Sequence, residues 1–246
     1  TVKIPKGMTN GKKLRLSGKG ETSAYGGPPG DLLIKAAVVK YGSGFIKELN
    51  PSGYYGPISL VTRADRDRWL RYFDPKHRLA NIKANVLMLS GTDDIFFWMP
   101  AVLQTYRAMA GDKRLYMLPN DNHSQVGNEE IPLRFFKAAL NMAPAYPTIS
   151  NPKILDKKSK IRLAVTVKGP SKIEKVEFYA KTMPKKGFKY RKSKGYKWET
   201  YPAENRDGQW IAELPVPKDG EQMIAYASAY DATGADVSSD TVELPK

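Results

Sequence analysis

The chain has 246 residues, 41% of them hydrophobic and 11% aromatic, a composition of folded protein in one large or two to three small domains. With no cysteine and two histidines it has no disulfide, thiol nucleophile, thiolate metal site or histidine-rich metal centre, and no metal or cofactor is expected. The formal charge of +15 divides into +6 over residues 1–40, +3 over 41–150 and +6 over 151–246, so no single block accounts for it. The densest basic run, Lys181 to Lys197, interleaves Phe188, Tyr190 and Tyr196. Such a run can hold a phosphate backbone, but a solvated hairpin tip is the expectation, and nucleic acid is not an expected partner. No run of about 18 apolar residues suggests a membrane span.

The first segment alternates apolar and polar residues at Val2-Lys3-Ile4 and Leu14-Arg15-Leu16. It is punctuated by Gly7, Gly11, Gly18 and Gly20 and closes on the apolar run Leu32 to Val39. Short strands joined by glycine turns are the expectation. The wording Lys3-Ile4-Pro5-Lys6-Gly7, Gly11-Lys12-Lys13-Leu14-Arg15-Leu16-Ser17-Gly18-Lys19-Gly20 and Gly26-Gly27-Pro28-Pro29-Gly30-Asp31-Leu32 closely resembles the C-terminal β-domain of DnaJ-type co-chaperones, over residues 1–39. That resemblance implies binding of unfolded protein. The family's His-Pro-Asp loop and cysteine zinc repeats do not occur in this sequence, so a working co-chaperone is not implied.

Residues 41–60, with Gly42-Ser43-Gly44, Pro51-Ser52-Gly53 and Gly56-Pro57, form a turn-rich junction. Asp65 to Phe73 has helical content, and Asp74-Pro75 leads into Val86-Leu87-Met88-Leu89-Ser90, a run suited to a strand buried on both faces. A helix over Ala101 to Met109, a buried strand Leu115 to Leu118 and a helix over Ile131 to Met142 complete half of a parallel α/β sheet, spanning 61–148. From about Asn151 the pattern changes to alternation, at Ile161 to Val167, Val176 to Phe178, Trp210 to Leu214, Met223 to Tyr230 and Val242 to Leu244. Short strands so spaced predict an immunoglobulin-like β-sandwich over 149–246, with Trp198, Tyr201 and Trp210 as core and rim packing. The predicted fold class is therefore α/β plus all-β: half of a parallel α/β sheet followed by a sandwich, with a short β fragment at residues 1–40.

Reactive groups of a parallel sheet collect at the carboxyl ends of its strands. Asp94 follows the strand ending at Ser90, and His123 follows the one ending at Leu118, so the two side chains can meet. A carboxylate there would orient the imidazole and stabilise its charged form, leaving the other ring nitrogen to take a proton from a serine. Read without further context, Asp94 capping the next helix is the simpler account. The residues Asp74-Pro75, Val86 to Ser90, Gly91-Thr92-Asp93-Asp94-Ile95-Phe96-Phe97, Leu118-Pro119-Asn120 and His123-Ser124 resemble the C-terminal half of α/β-hydrolases. More narrowly they are similar to the PhoPQ-activated pathogenicity-related family and to acetyl-xylan-esterase-like or dipeptidyl-peptidase-like hydrolases, some with a trailing β-domain.

The resemblance implies Asp94 as the triad acid, with Asp93 as the fallback, and His123 as the base. It also calls for a nucleophile on Gly-x-Ser-x-Gly, and no such pentapeptide occurs. Ser43 is the nearest candidate, but Tyr41 and Phe45 stand where small residues are needed, and Ser52, Ser59 and Ser124 fit less well. The expectation is a composite chain in which truncation leaves an acid and a base without a nucleophile, inactive as it stands; a small ester or peptide would be the substrate of an active form. The alternatives are a client-binding co-chaperone fragment and a non-catalytic binding module using the basic sandwich. Hydrolase relatives point to export and the co-chaperone fragment to the cytoplasm, so no compartment is assigned.

Overall fold

The computed structural model describes residues 13–16, 32–35, 64, 68, 71–72, 75–94, 97, 99–123, 130–185 and 196–244. The chain divides into two compact units, Thr1–Val39 and Lys40–Lys246. In the first, β1 (Lys13–Leu16) and β2 (Leu32–Lys35) pair antiparallel, Lys13 opposite Lys35 and Leu16 opposite Leu32. Leu32 to Lys35, the described part of the apolar run, thus pair within this unit.

The second unit is mostly β, with two α-helices bounded among the described residues. Helical backbone at residues 64, 68, 71 and 72 and a 3-10 helix at Pro75–Asn81 precede β3 (Val86–Gly91). There follow α1 (Met99–Ala108), β4 (Lys113–Leu118) and α2 (Glu130–Ala139). β3 and β4 run parallel, from Val86 opposite Lys113 to Gly91 opposite Leu118. Parallel neighbours need a crossover, and α1 provides it. Met99, Val102 and Leu103, at helical spacing, are its buried face, and Pro100 lies in the first turn, where a missing N–H breaks no helical bond. In α2 the same spacing buries Ile131, Arg134 and Phe135.

The remaining strands are β5 (Thr148–Ile149), β6 (Lys153–Lys157), β7 (Lys160–Val165), β8 (Val167–Lys168), β9 (Ile173–Pro184) and β10 (Glu199–Pro202). They continue with β11 (Glu204–Arg206), β12 (Gln209–Pro215), β13 (Glu221–Asp231), β14 (Asp236–Ser238) and β15 (Val242–Leu244). One seven-stranded sheet has the order β10-β9-β13-β14-β4-β3, with β15 also on β13, and a four-stranded sheet has the order β11-β12-β7-β6. The parallel pair is therefore not a sheet of its own. Its strand β4 pairs with β14 through Leu115 and Ser238, and the Met117 N–H donates to Ser238 Oγ at 3.0 Å.

Side chains alternate across a strand, and β9 and β13 use both of their faces. On one, Val176, Phe178 and Ala180 of β9 and Met223, Ala225, Ala227 and Ala229 of β13 share a core with Ile161, Leu163 and Val165 of β7 and Ala212 and Leu214 of β12. On the other, Tyr179 and Tyr226 pack with Met99, Val102 and Leu103 of α1, Leu115 and Met117 of β4, and Trp198. Tyr201 and Trp210 are partly buried against the first core. The sequence predicts β3 as buried on both faces, but Val86 to Leu89 are only half-buried, β3 being the last strand of the sheet among the described residues.

Candidate active site

The turn after β3 and the loop after β4 lie against each other, and the motif Gly91-Thr92-Asp93-Asp94 explains how. A Cβ on Gly91 would stand 2.4 Å from the carbonyl oxygen of Asn122 and 2.6 Å from that of Asp121, so only glycine admits this loop so closely. Around it the Thr92 N–H donates to Leu118 O at 3.0 Å and the Asp93 N–H to Asp121 O at 2.8 Å. Thr92 Oγ1 accepts from the Asn120 N–H at 2.9 Å. Asn120 adopts a φ of 60°, left-handed backbone that asparagine tolerates better than most residues.

Asp94 is buried and uses both carboxylate oxygens. Oδ1 accepts the Phe97 N–H at 2.9 Å, and Oδ2 lies 2.9 Å from Nδ1 of His123. Oδ1 thus closes a turn ahead of α1, which begins only at Met99, rather than capping that helix, while Oδ2 makes the imidazole contact. An ionised carboxylate only accepts, so Nδ1–H of His123 is the donor and the acceptor lone pair of the neutral ring is at Nε2. The imidazole is half-exposed and lies over Phe97, ring centroids 5.1 Å apart at 31°. A buried acid holding the tautomer of an imidazole that reaches solvent is an arrangement suited to taking a proton from a hydroxyl or water.

Asp93, the fallback acid, is turned elsewhere. Its Oδ1 lies 2.5 Å from Nζ of Lys181 in β9, whose side chain is 2% exposed. The ammonium also stands 5.5 Å from the Trp198 ring centroid. Asn120 brackets that tryptophan, its Oδ1 accepting from Trp198 N at 2.7 Å and its Nδ2 donating to Trp198 O at 2.9 Å. Below it Tyr226 packs edge-on against Trp198 and stacks on Tyr179. Burial, and then the hydrogen bonds with Tyr230 and Glu177, push the Tyr179 phenol well up, so it stays neutral and donates to Glu177 Oε2 at 2.7 Å.

Lys181, Asn120 and Trp198 are the residues around the pair that sequence reasoning missed. Lys181 begins the basic run read as a solvated tip, yet it is buried; the one available signal was a lysine between Tyr179 and Met183 on an inward face of β9. Ser43, Ser52, Ser59 and Ser124 lie outside the described residues. Among the described residues no group of three or more His, Asp or Glu side chains is placed to hold a metal ion.

Comparison with known proteins agrees with a composite chain. Residues 33–189 match the family model of the PhoPQ-activated pathogenicity-related protein. The chain belongs to that family. Asp93, Asp94, His123 and Lys181 all fall within the family's segment, whereas Trp198 lies beyond it.

Residues 1–61 match the DnaJ C terminal domain. The two segments overlap at residues 33–61, so residues 41–60, read from the sequence as a turn-rich junction, are covered by both. The chaperone protein DnaJ of Erysipelothrix rhusiopathiae is 43% identical over 60 residues, which are 24% of this chain and 16% of that protein. The chain thus spans about a sixth of the length of that curated relative. Among solved structures, wild type OgpA from Akkermansia muciniphila is 10% identical, covering 93% of this chain and 61% of its own at a TM-score of 0.29. BhCBM56 is also 10% identical, covering 39% and 89% at a TM-score of 0.27.

Proposed function

We propose that Asp94 and His123 are the acid and base of a serine-type hydrolase acting on esters or peptides, and that this chain, having no Gly-x-Ser-x-Gly, does not turn over as it stands. The observation that carries the reading is the 2.9 Å contact between the buried Asp94 carboxylate and Nδ1 of His123. It joins two loops at the carboxyl ends of adjacent parallel strands, where a parallel sheet collects its reactive groups. In this reading β3, α1, β4 and α2 are the C-terminal half of an α/β-hydrolase sheet and the later strands are an immunoglobulin-like sandwich. Without an activated nucleophile the pair can polarise a hydroxyl but cannot form an acyl intermediate.

The test is intact-mass detection of labelling by a fluorophosphonate probe, with peptide mapping and a His123→Ala control. No adduct on folded protein is expected. A stoichiometric adduct on Ser43 that disappears in the control would overturn the assignment of inactivity and make Ser43 the nucleophile. A second reading, binding of unfolded polypeptide by the first segment, is favoured by the DnaJ C terminal domain match over residues 1–61.

A further inference from the structure

We propose that Lys181 is a positioning residue of the Asp94–His123 pair, supplied by a strand of the trailing β-domain. The inference rests on the acid–base reading above for its functional meaning and on geometry for its substance.

Lys181 stands in β9, opposite Ile224 of β13, on the face that meets α1. Its ammonium reaches Asp93 across 88 positions of sequence. From there a closed circuit of contacts can be traced. Lys181 holds Asp93 and lies against Trp198. Both backbone polar groups of Trp198 are held by the Asn120 side chain, and the Asn120 N–H is held by Thr92, next to Asp93. The circuit passes through both loops of the site, beside Asp94 on one and three residues before His123 on the other. Movement of either loop is thereby coupled to β9 and to the segment carrying Trp198.

Stability alone is a poor reason for such a residue. An ammonium withdrawn from water loses hydration that one carboxylate barely restores, and an apolar side chain of similar volume commonly serves stability as well or better. What an apolar residue cannot do is fix a carboxylate in direction. Lys181 draws Asp93 to one side of the turn and offsets its charge, so that two consecutive carboxylates do not repel each other out of it. Asp94 is left on the other side, with one oxygen on the Phe97 N–H and one on His123.

The experiment reads the pair directly and needs no substrate. In 15N-labelled full chain, the His123 ring nitrogens and the Nδ1 proton report the tautomer and its hydrogen bond to Asp94. Lys181→Met is expected to abolish the hydrogen-bonded Nδ1 proton resonance and to mix the two tautomers, and Lys181→Arg to restore both. Lys181→Met leaves Asp93 without its partner, so the double variant Lys181→Met/Asp93→Asn, which buries no lone charge, carries the test if the single variant does not fold. It is expected to fold and still to lack the resonance. A folded Lys181→Met or double variant with the wild-type resonance would overturn the inference. A wild-type chain without that resonance would overturn it together with the pair it serves. Absence of fluorophosphonate labelling bears on the hydrolase reading alone and leaves these outcomes intact.

Discussion

Gly91→Ala isolates the contact on which the site depends. The added Cβ would meet Asn122 O at 2.4 Å, Asp121 O at 2.6 Å and Asp121 C at 2.8 Å, all backbone atoms that cannot rotate away. A relaxed carbon–oxygen contact needs about 3.3 Å, so the loop must retreat by about 0.9 Å. That movement stretches the 2.8 Å bond from the Asp93 N–H to Asp121 O. Carried on to His123, it takes the 2.9 Å contact with Asp94 to about 3.5 Å or beyond, where a hydrogen bond has lost most of its strength. Overpacking of this kind costs about 1–3 kcal/mol, offset by about 0.4–1 kcal/mol because alanine restricts the unfolded chain more than glycine does. A net loss of about 1–2 kcal/mol corresponds to a fall in Tm of about 2–8 °C for a chain of this size. Thermal unfolding followed by circular dichroism measures the loss, and the His123 Nδ1 proton resonance measures the displacement. An alanine variant with unchanged Tm and unchanged resonance would refute the view that Gly91 is there to admit the loop carrying His123.

Asp236 predicts a pH dependence away from the site: burial, then the neighbouring Asp231, raise its carboxyl from 3.8 to about 6, with Lys175 opposing. The folded chain then holds this proton more tightly than the unfolded one, so the group costs nothing below about pH 4, and its cost grows between pH 4 and 6 and is complete above. Discounted for partial solvent screening, Asp236→Asn should be more stable than wild type by about 1–2 kcal/mol at pH 7 and equal to it near pH 4. Urea titrations at the two pH values check this, and an equal difference at both would show that the carboxyl is not the cause. For the first segment, binding of unfolded polypeptide predicts that the chain suppresses aggregation of a chemically denatured protein on dilution, to the same degree with His123→Ala. Unaltered light scattering would dispose of that reading.

The elements legible in the sequence were those whose signal is local. Met99, Val102 and Leu103 announce a helix by spacing, and the run through Leu115 to Leu118 announces a strand by composition. The meeting of Asp94 with His123 was legible because each residue sits just beyond one of two such strands. Resemblance brought out the two origins of the chain, although not the overlap between them at residues 33–61. What stayed hidden depends on long-range pairing. Asp236–Ser238 is too short to read as a strand, yet Ser238 joins the later strands to β4. Lys181 looks like the start of a basic tip until β9 is seen to extend to Pro184, with Lys181 on its inward face. Asn120 reads as a turn residue, and its grip on Trp198 spans 78 positions.

That long-range pairing bears on what the trailing strands are for. A module appended only for binding would be expected to meet its neighbour across a modest, more polar surface. Here the hydrogen-bond ladder passes from β13 through β14 into β4, and Tyr179, Tyr226 and Trp198 supply part of the apolar cover of α1. The bidentate contact of Arg107, at the end of α1, with Asp240 adds a polar tie at 2.6 Å for each bond. If the later strands were withdrawn, β4 would lose the partner on one edge, and α1 would expose Met99, Val102 and Leu103, which are now buried. The loops carrying Asp94 and His123 would lose Lys181 and Trp198 at the same time. The Asp94–His123 contact therefore forms on the shared sheet, and β9, β13 and β14 belong to its framework.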